Sequence, residues 1–221
     1  MAVNILCIDT SLDTALICLS QEGKPCASRT NNIQKEHAVF VHSAIQEIMA
    51  QQQMELHQLD AIAVTEGPGS YTGLRVGMSA AKGLSYALNK PLIAVGSLPM
   101  IAFADILVHK DEAVLYGPMI DARRMEVYTA LYDYQLNEII TPQAMILHED
   151  AFAPYLQDSE IIFSGNGSVK CKSLITKSKA RFSTGSAYAE SLSYLSYKMY
   201  SEEKFSNLIA LKPLYIKEPN V

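Results

Sequence analysis

The sequence lacks several features that would point to a membrane, secreted or zinc-binding protein. It contains no Cys-x-x-Cys pair, and four cysteines in 221 residues do not suggest a disulfide framework. No apolar run approaches the roughly 20 residues that a transmembrane helix needs, and no positively charged leader precedes an apolar stretch at the amino terminus. We therefore expect a cytoplasmic protein that does not associate with membranes.

Positive charge is also scarce. Lys and Arg number 18 against 23 Asp and Glu, which gives a formal net charge of −5. Such a chain has no overall positive field to attract nucleic acid, so contact with RNA would need a local basic patch or a basic partner. Apolar material is plentiful, because 49% of the residues are hydrophobic, enough for one large domain or two small ones.

Strand and helix patterns divide the chain into two similar halves. "CIDTSLDTALICL" and "MIDARRMEVYTAL" align without a gap, each with Ile-Asp at the end of a strand that turns into a second strand, so that Asp9 and Asp121 are equivalent. The duplication predicts a two-lobed α/β fold of the actin-like class (the ASKHA or Hsp70-like ATPase fold), with a β-hairpin leading each lobe. We place the first lobe at 1–104 and the second at 105–221, with a carboxyl-terminal tail that could return to the first lobe.

A glycine-rich turn in "VTEGPGSYTGLRVGMSAAKGLSYAL" joins a predicted strand to a predicted helix. Its glycines fit neither the Rossmann pattern, in which glycine would replace Thr72, nor a Walker A loop, which ends in Gly-Lys-Ser/Thr. Backbone amides at the start of a helix still attract anions. The acidic turn after the first strand could meet a metal–phosphate complex, or it could be a hydrogen-bonded Asx turn. The candidate phosphate or nucleotide contacts are Asp9, Thr10, Ser11, Gly67, Gly69 and Arg75.

Two helices, predicted at 33–53 and 72–88, have apolar faces wider than one sheet contact requires. The second contains three glycines, each costing about 1 kcal/mol relative to alanine, which suggests close approach of another backbone. We predict a subunit interface here, the alternative being a helix enclosed by its own sheet and its own neighbouring helix. On this view Gly77→Leu would abolish partner binding and leave the fold largely intact. The predicted partner contacts are His37, Val41, Ile45, Ile48, Thr72, Gly73, Val76, Gly77, Ala80, Ala81 and Leu84.

No local pattern predicts catalysis or a metal site. His37 and His42 are spaced i, i+5, about 140° apart around a helix, whereas a helical metal pair needs i, i+3 or i, i+4 spacing. We expect His37 to be buried and hydrogen-bonded, and no catalytic Ser/His/Asp or Cys/His set can be assembled from neighbouring motifs. One basic segment without acids is typical of solvated surface, but it is also the local patch that could contact RNA or an acidic partner. Its members are Lys170, Lys172, Lys177, Lys179 and Arg181.

The glycine-rich turn and its helix resemble the hallmark of the TsaB family, also called YeaZ. The usual form in that family is Gly-Pro-Gly-Ser-Phe-Thr-Gly-Leu-Arg-Ile-Gly, and this chain has "GPGSYTGLRVG". "ILCIDTSLDTALICLS" is similar to the first hairpin of the family and "KEHAVFVHSAIQEIM" to its first helix, while "MIDARRMEVYTALY" and "PLYIK" also match. The departures are Tyr71 for phenylalanine, Ala38 for serine and Ser43 for proline, and none of them argues against the resemblance.

The resemblance implies a non-catalytic scaffold or dimerisation subunit required for threonylcarbamoylation of the adenosine next to the tRNA anticodon. Its implied partners are a TsaD-type transferase, a TsaE-type ATPase and a second copy of the chain. The transferase carries two metal-binding histidines on a helix, and this chain has no such i, i+4 pair.

The resemblance also implies no cofactor of the chain's own, although ATP or ADP could bind at the interface of the complex. Contact with tRNA would be indirect or through the basic segment. The alternative functions are an active actin-like ATPase or small-molecule kinase, which would use Asp9, Thr10 and the loop 67–73, and a metallopeptidase.

Overall fold

The computed structural model describes residues 2–185 and 187–217. In chain order these residues form β1 (Asn4–Asp9), β2 (Ala15–Gln21), β3 (Lys24–Asn31), α1 (His37–Gln51), β4 (Ala61–Gly67), α2 (Tyr71–Leu88), β5 (Leu92–Gly96), α3 (Ser97–His109), β6 (Leu115–Asp121), β7 (Glu126–Tyr132), β8 (Glu138–Ile146), α4 (Ala153–Asp158), β9 (Ile161–Ser164), α5 (Ser168–Leu174), β10 (Ala180–Phe182) and α6 (Tyr188–Ser201).

The chain divides into two compact units. Unit 1 comprises Met1–Ser97 and Ala189–Leu214, and unit 2 comprises Leu98–Tyr188 and Tyr215–Val221. This division differs from the expected lobes 1–104 and 105–221 in two respects. The chain passes from unit 1 to unit 2 at the start of α3, and α6 belongs to unit 1. The expected tail lies in unit 1 as far as Leu214, and residues 218–221 lie outside the described residues.

Both units contain a five-stranded sheet with the same topology. The strand order is β3-β2-β1-β4-β5 in unit 1 and β10-β9-β6-β7-β8 in unit 2. In each sheet a first strand pairs antiparallel with the next strand of its hairpin and parallel with a later strand. Asp9 ends β1 and Asp121 ends β6, as their equivalence in the sequence predicts. The duplicated, two-lobed α/β fold is thereby confirmed.

Helices α1 and α2 cover one face of the unit 1 sheet. The inward side of α1 follows the i, i+3, i+4, i+7 spacing of an amphipathic helix, with Val41, Ala44, Ile45 and Ile48 all buried. These side chains join those of β1, β2, β4 and α2 in a single apolar cluster. The helices therefore present their remaining sides to solvent.

Helix α6 packs beside the thiols of the first hairpin in the same unit. The Cys7 and Cys18 side chains lie opposite each other across β1 and β2, and their Sγ atoms lie 3.7 Å from the hydroxyls of Ser196 and Ser193, respectively. Small hydroxyl side chains thus allow α6 to lie close to the strands. All four cysteines are free thiols.

Downstream of α6, the tail is held along α2 and the sheet of unit 1. The Ser206 amide donates to Leu92 O at 2.8 Å, and the Leu214 amide donates to Glu66 O at 2.7 Å. Lys82 Nζ, on α2, donates to the carbonyl oxygens of Ile209 and Leu211. These bonds cover part of the β5 edge, which would otherwise be open to pairing with another strand.

In unit 2 the core lies between the sheet and the short helices α4 and α5. Phe152 and Phe163 are fully buried and pack edge to face, with ring centroids 4.9 Å apart. Within residues 2–185 and 187–217, no helix is both long enough and apolar enough to cross a membrane.

Candidate functional site

The glycines at the start of α2 allow the helix to lie against the first hairpin of the chain itself. A Cβ added to Gly69 would overlap Ser11 O, and one added to Gly73 would overlap Thr10 O. A Cβ on Gly77 would overlap Thr10 Oγ1. The expected close approach of another backbone is therefore present, but that backbone is the turn after β1 and does not come from a partner.

Hydrogen bonds fix this contact. Ser70 caps α2 by accepting from the Gly73 amide at 3.3 Å, and its own amide donates to Ser11 O at 2.8 Å. The Thr10 hydroxyl donates to Gly73 O at 2.7 Å. Because the Ser70 amide is already bonded within unit 1, this part of the helix start is not free to hold a phosphate.

The Asp9 carboxylate is likewise engaged by its neighbours. Asp9 Oδ1 accepts from the Ser11 amide at 2.8 Å, from the Ser11 hydroxyl at 2.6 Å and from the Thr65 hydroxyl at 2.6 Å. Burial raises the pKa of this carboxyl, and the bonds from Ser11 and Thr65 offset part of the rise. The bond from the Ser11 amide is that of an Asx turn, which was the structural alternative to phosphate binding.

Three of the six candidate phosphate contacts are thus inaccessible within unit 1. Asp9, Thr10 and Ser11 are each 1% exposed, which favours the Asx-turn alternative at these three residues, and their contact with phosphate or nucleotide stays a prediction. At Gly67 (φ 118°) a Cβ would meet Leu214 O at 2.7 Å, so the tail already occupies that side of the loop. Arg75 alone among the six is exposed on α2, where its guanidinium lies 4.0 Å from the centre of the Tyr71 ring.

His37 is buried, as expected, at 3% exposure. The expected hydrogen bond is not found at Nε2, which is buried without a partner among the described residues. Burial, the larger effect, raises the pKa of the Asp9 carboxyl. His37 lies near enough to Asp9 to lower that pKa slightly. Over the described residues, no group of three or more His, Cys, Asp or Glu side chains is placed to hold a metal ion.

The open feature of unit 1 is a groove of about 690 Å³ between the outer sides of α1 and α2. We call it the α1/α2 groove. Its lining residues are Ala38, Val41, His42, Tyr71, Thr72, Arg75, Val76, Ser79, Ala80, Gly83 and Leu84. The groove combines half-buried apolar side chains with polar ones at its edges, which is the composition of a protein-binding surface.

Only part of the predicted interface lies at this groove. Thr72, Val76, Ala80 and Leu84 are accessible and line it, and Val41 lies beneath them. The other six predicted contacts are buried in unit 1, and their assignment to a docking surface is therefore corrected. These residues are His37, Ile45, Ile48, Gly73, Gly77 and Ala81. Six groove residues were not among the predicted partner contacts: Ala38, His42, Tyr71, Arg75, Ser79 and Gly83.

The basic segment is largely neutralised by acids from elsewhere in unit 2. Lys170 pairs with Asp121 and Lys177 with Asp150. Arg181 lies 3.3 Å from Glu160 and 3.7 Å from Asp111, and Lys179 donates to a backbone carbonyl, that of Gln157. Among the described residues, only Lys172 of this set has no hydrogen bond or ion pair, so the segment does not form a free positive surface.

The repeated sheet and the hairpin that leads each unit define a two-lobed α/β protein of the actin-like class. The family described as "TsaD: tRNA N6-adenosine threonylcarbamoyltransferase" matches residues 28–211. The "tRNA threonylcarbamoyladenosine biosynthesis protein TsaB" of Bacillus subtilis (strain 168) is 34% identical over 176 residues, covering 78% of this chain and 75% of that protein. The chain belongs to the TsaB family.

Other relatives agree with this assignment. The Haemophilus influenzae protein of the same name is 35% identical over 127 residues, which cover 57% of this chain and 52% of that protein. A crystal structure from Pseudomonas aeruginosa, described as an uncharacterized protein with similarity to the peptidase YeaZ, superposes with a TM-score of 0.85 at 23% identity. That match covers 97% of this chain and 100% of the other, and it shows a shared fold.

Proposed function

We propose that this chain is a non-catalytic scaffold subunit for threonylcarbamoylation of the adenosine next to the tRNA anticodon, and that it docks a TsaD-type transferase through the α1/α2 groove. The groove is the observation that carries the proposal. It is an open apolar surface on two helices whose inward sides are already filled by the chain's own sheet.

The side chains around the groove suit a protein partner. Val76, Ala80 and Leu84 are half-buried, so a partner could cover apolar surface that is still in contact with water. Small residues such as Ala38 and Gly83 would let another helix come close. The stacked Tyr71 and Arg75 side chains belong to residue types that are enriched among interface hot spots.

The relationship to the transferase supports the choice of occupant. The TsaD family profile covers α1 and α2 of this chain, so a TsaD-type protein would carry a corresponding pair of helices. Two such helix pairs could meet across a pseudo-two-fold axis, as two copies of this chain could across a true one. A homodimer and a heterodimer would then compete for the same surface.

The engaged turn after β1 supports a role without catalysis. All three hydrogen bonds to Asp9 Oδ1 come from unit 1 itself, and the carboxylate is 1% exposed. In this proposal the transferase performs the chemistry and a TsaE-type ATPase hydrolyses the nucleotide. The chain needs no cofactor of its own, any ATP or ADP binds at the interface of the complex, and the complex works in the cytoplasm.

A pair of alanine-to-arginine variants on α2 tests the docking surface. Ala80 lines the groove, whereas Ala87 is exposed outside it. We expect Ala80→Arg to weaken binding to the transferase at least tenfold, about 1.4 kcal/mol, because a charged side chain would be buried in the contact, and Ala87→Arg to bind normally. Isothermal titration calorimetry measures the affinity, and circular dichroism confirms the fold. Equal affinity for both variants would show that the transferase binds elsewhere.

The rival ATPase function has its own test. The purified chain alone is expected to show no ATP turnover and little thermal shift with nucleotide. Turnover that persists in Ala80→Arg but disappears in Asp9→Ala would favour the ATPase and count against a scaffold role.

A further inference from the structure

The turn that joins β6 and β7 in unit 2 carries two adjacent, exposed arginines in an uncommon backbone conformation. Arg123 (φ 70°) and Arg124 (φ 49°) are consecutive residues in the left-handed region, which non-glycine residues seldom adopt. Among the described residues they are the only such consecutive pair without glycine. Unusual backbone of this kind is often found at binding sites, where the surrounding structure holds it in place.

Three hydrogen bonds hold this turn. The Arg123 amide donates to Asp121 Oδ1 at 2.6 Å, the Ala122 amide to Glu126 O at 3.1 Å, and the Glu126 amide to Arg123 O at 3.1 Å. The two guanidinium groups therefore extend from an ordered base. A partner that binds them does not have to order the backbone as well.

Lysines already neutralise the carboxylates that could have paired with these arginines. Lys170 Nζ donates to Asp121 Oδ1, and Lys217 Nζ donates to Glu126 Oε2 at 2.8 Å. No ion pair is found for Arg123 or Arg124 within residues 2–185 and 187–217. Lys170 and Lys217 thus pair with the Asp121 and Glu126 carboxylates. Neither Arg123 nor Arg124 has an acidic partner among the described residues.

The duplicated fold makes this surface distinctive. In the equivalent turn of unit 1, Thr10 and Ser11 are buried against α2, where glycines admit their backbone, and Leu12 is half-buried. In unit 2 the same position is exposed and basic, in a chain whose net charge is −5. We propose that Arg123 and Arg124 form a contact for the phosphodiester backbone of RNA.

RNA is the chosen occupant because the relatives of this chain are named for the biosynthesis of a modified tRNA nucleoside, and an acidic protein is the competing outcome of the test. A guanidinium donates two parallel hydrogen bonds to one phosphate, and two adjacent guanidinium groups can engage neighbouring phosphates. The contact rests on the proposed function, which brings a tRNA to the complex. It would position the RNA without reading its sequence.

The test uses the complex of the full chain with its transferase and an unmodified tRNA transcript whose anticodon is followed by adenosine. Arg123→Gln/Arg124→Gln is compared with Lys24→Gln/Lys110→Gln, a control that removes two charges from exposed lysines elsewhere. Fluorescence anisotropy over a salt series gives the affinity and its salt dependence. We expect the arginine variant to bind roughly tenfold more weakly at low salt and its log–log salt slope to fall by about 1 to 2.

Arg123→Lys/Arg124→Lys keeps both positive charges, so its log–log slope of RNA affinity against salt is expected to be close to that of the wild type. Affinity for the transferase is measured separately for every variant. Unchanged RNA binding in the glutamine variant, with a normal complex, would overturn the RNA contact and leave the scaffold proposal intact. A loss of transferase affinity alone would assign the arginines to an acidic protein surface and would also overturn it. If the wild-type chain bound no transferase, the scaffold proposal would fail. The same salt series on the chain alone would then test whether Arg123 and Arg124 bind RNA.

Discussion

Gly73→Ala is expected to destabilise the protein, whereas Gly83→Ala on the same helix is expected to stabilise it. Alanine is favoured over glycine in a helix interior by about 1 kcal/mol, and Gly83 has open space where a Cβ would lie. At Gly73 the added methyl would overlap Thr10 O. Relief would require α2 to move away from the turn after β1, so we expect a net loss of about 1–3 kcal/mol, typical of overpacking.

Urea denaturation followed by circular dichroism measures both changes. Because the two substitutions add the same methyl to the same helix, a difference in sign isolates the contact with Thr10 from helix propensity. The hydrogen bond from the Thr10 hydroxyl to Gly73 O at 2.7 Å leaves the turn little freedom to retreat. If Gly73→Ala were as stable as Gly83→Ala, the close packing of α2 on the hairpin would be refuted.

The same geometry changes what Gly77→Leu can report. From the sequence, this variant was expected to keep its fold and lose its partner. Gly77 is buried with Thr10 Oγ1 where a Cβ would lie, so a leucine is instead expected to disrupt unit 1. Any loss of binding would then follow from misfolding, which is why the docking test uses the accessible Ala80.

The sequence was sufficient to predict the duplication but not which backbone meets the glycines of α2. Asp9 and Asp121 sit at matching strand ends, and short-range patterns around them define both hairpins. Glycine spacing on a helix shows only that something packs closely. Contact with the chain's own turn and contact with a partner leave the same pattern, so only the three-dimensional arrangement separates the core residues from the groove.

Long-range contacts account for the remaining differences. Helix α6 lies within the expected second lobe, yet its serines pack against Cys7 and Cys18 of unit 1, and no local pattern encodes that pairing. Similarly, the segment from Lys170 to Arg181 contains no acid, but acids distant in sequence pair with it. Arg123 and Arg124 were overlooked because two residues are too few to stand out as a charge run.

A second large effect is expected at Asp105, a carboxylate on α3 that is 1% exposed in unit 2. Within residues 2–185 and 187–217, neither carboxylate oxygen has a hydrogen-bond partner, and the buried Ser164 hydroxyl has none either. Burial raises the pKa of Asp105, while the nearby Ser164 and Ser183 hydroxyls and the His109 imidazole offset part of the rise. The loop at Gly185 is also close, since a Cβ there would lie 2.6 Å from Asp105 Oδ1.

A raised pKa means that the folded protein holds the Asp105 proton more tightly than the unfolded chain does. The stability that this group contributes is therefore complete below the ordinary pKa of aspartate and is lost as the pH rises through the raised pKa. Asparagine has nearly the same shape and does not titrate. We expect Asp105→Asn to match the wild type in acid and to be the more stable protein near neutral pH, because only the wild type then has to ionise a buried carboxyl or retain its proton.

Unfolding free energies from urea titrations at a series of pH values test this expectation. Asp158→Asn, at an exposed position on α4, is the matched control and should change stability by less than about 0.5 kcal/mol throughout. A gap between wild type and Asp105→Asn that widens toward neutral pH would assign the effect to ionisation of the buried carboxyl. Parallel profiles would mean that Asp105 has the same pKa in the folded and unfolded chain, and they would contradict the prediction.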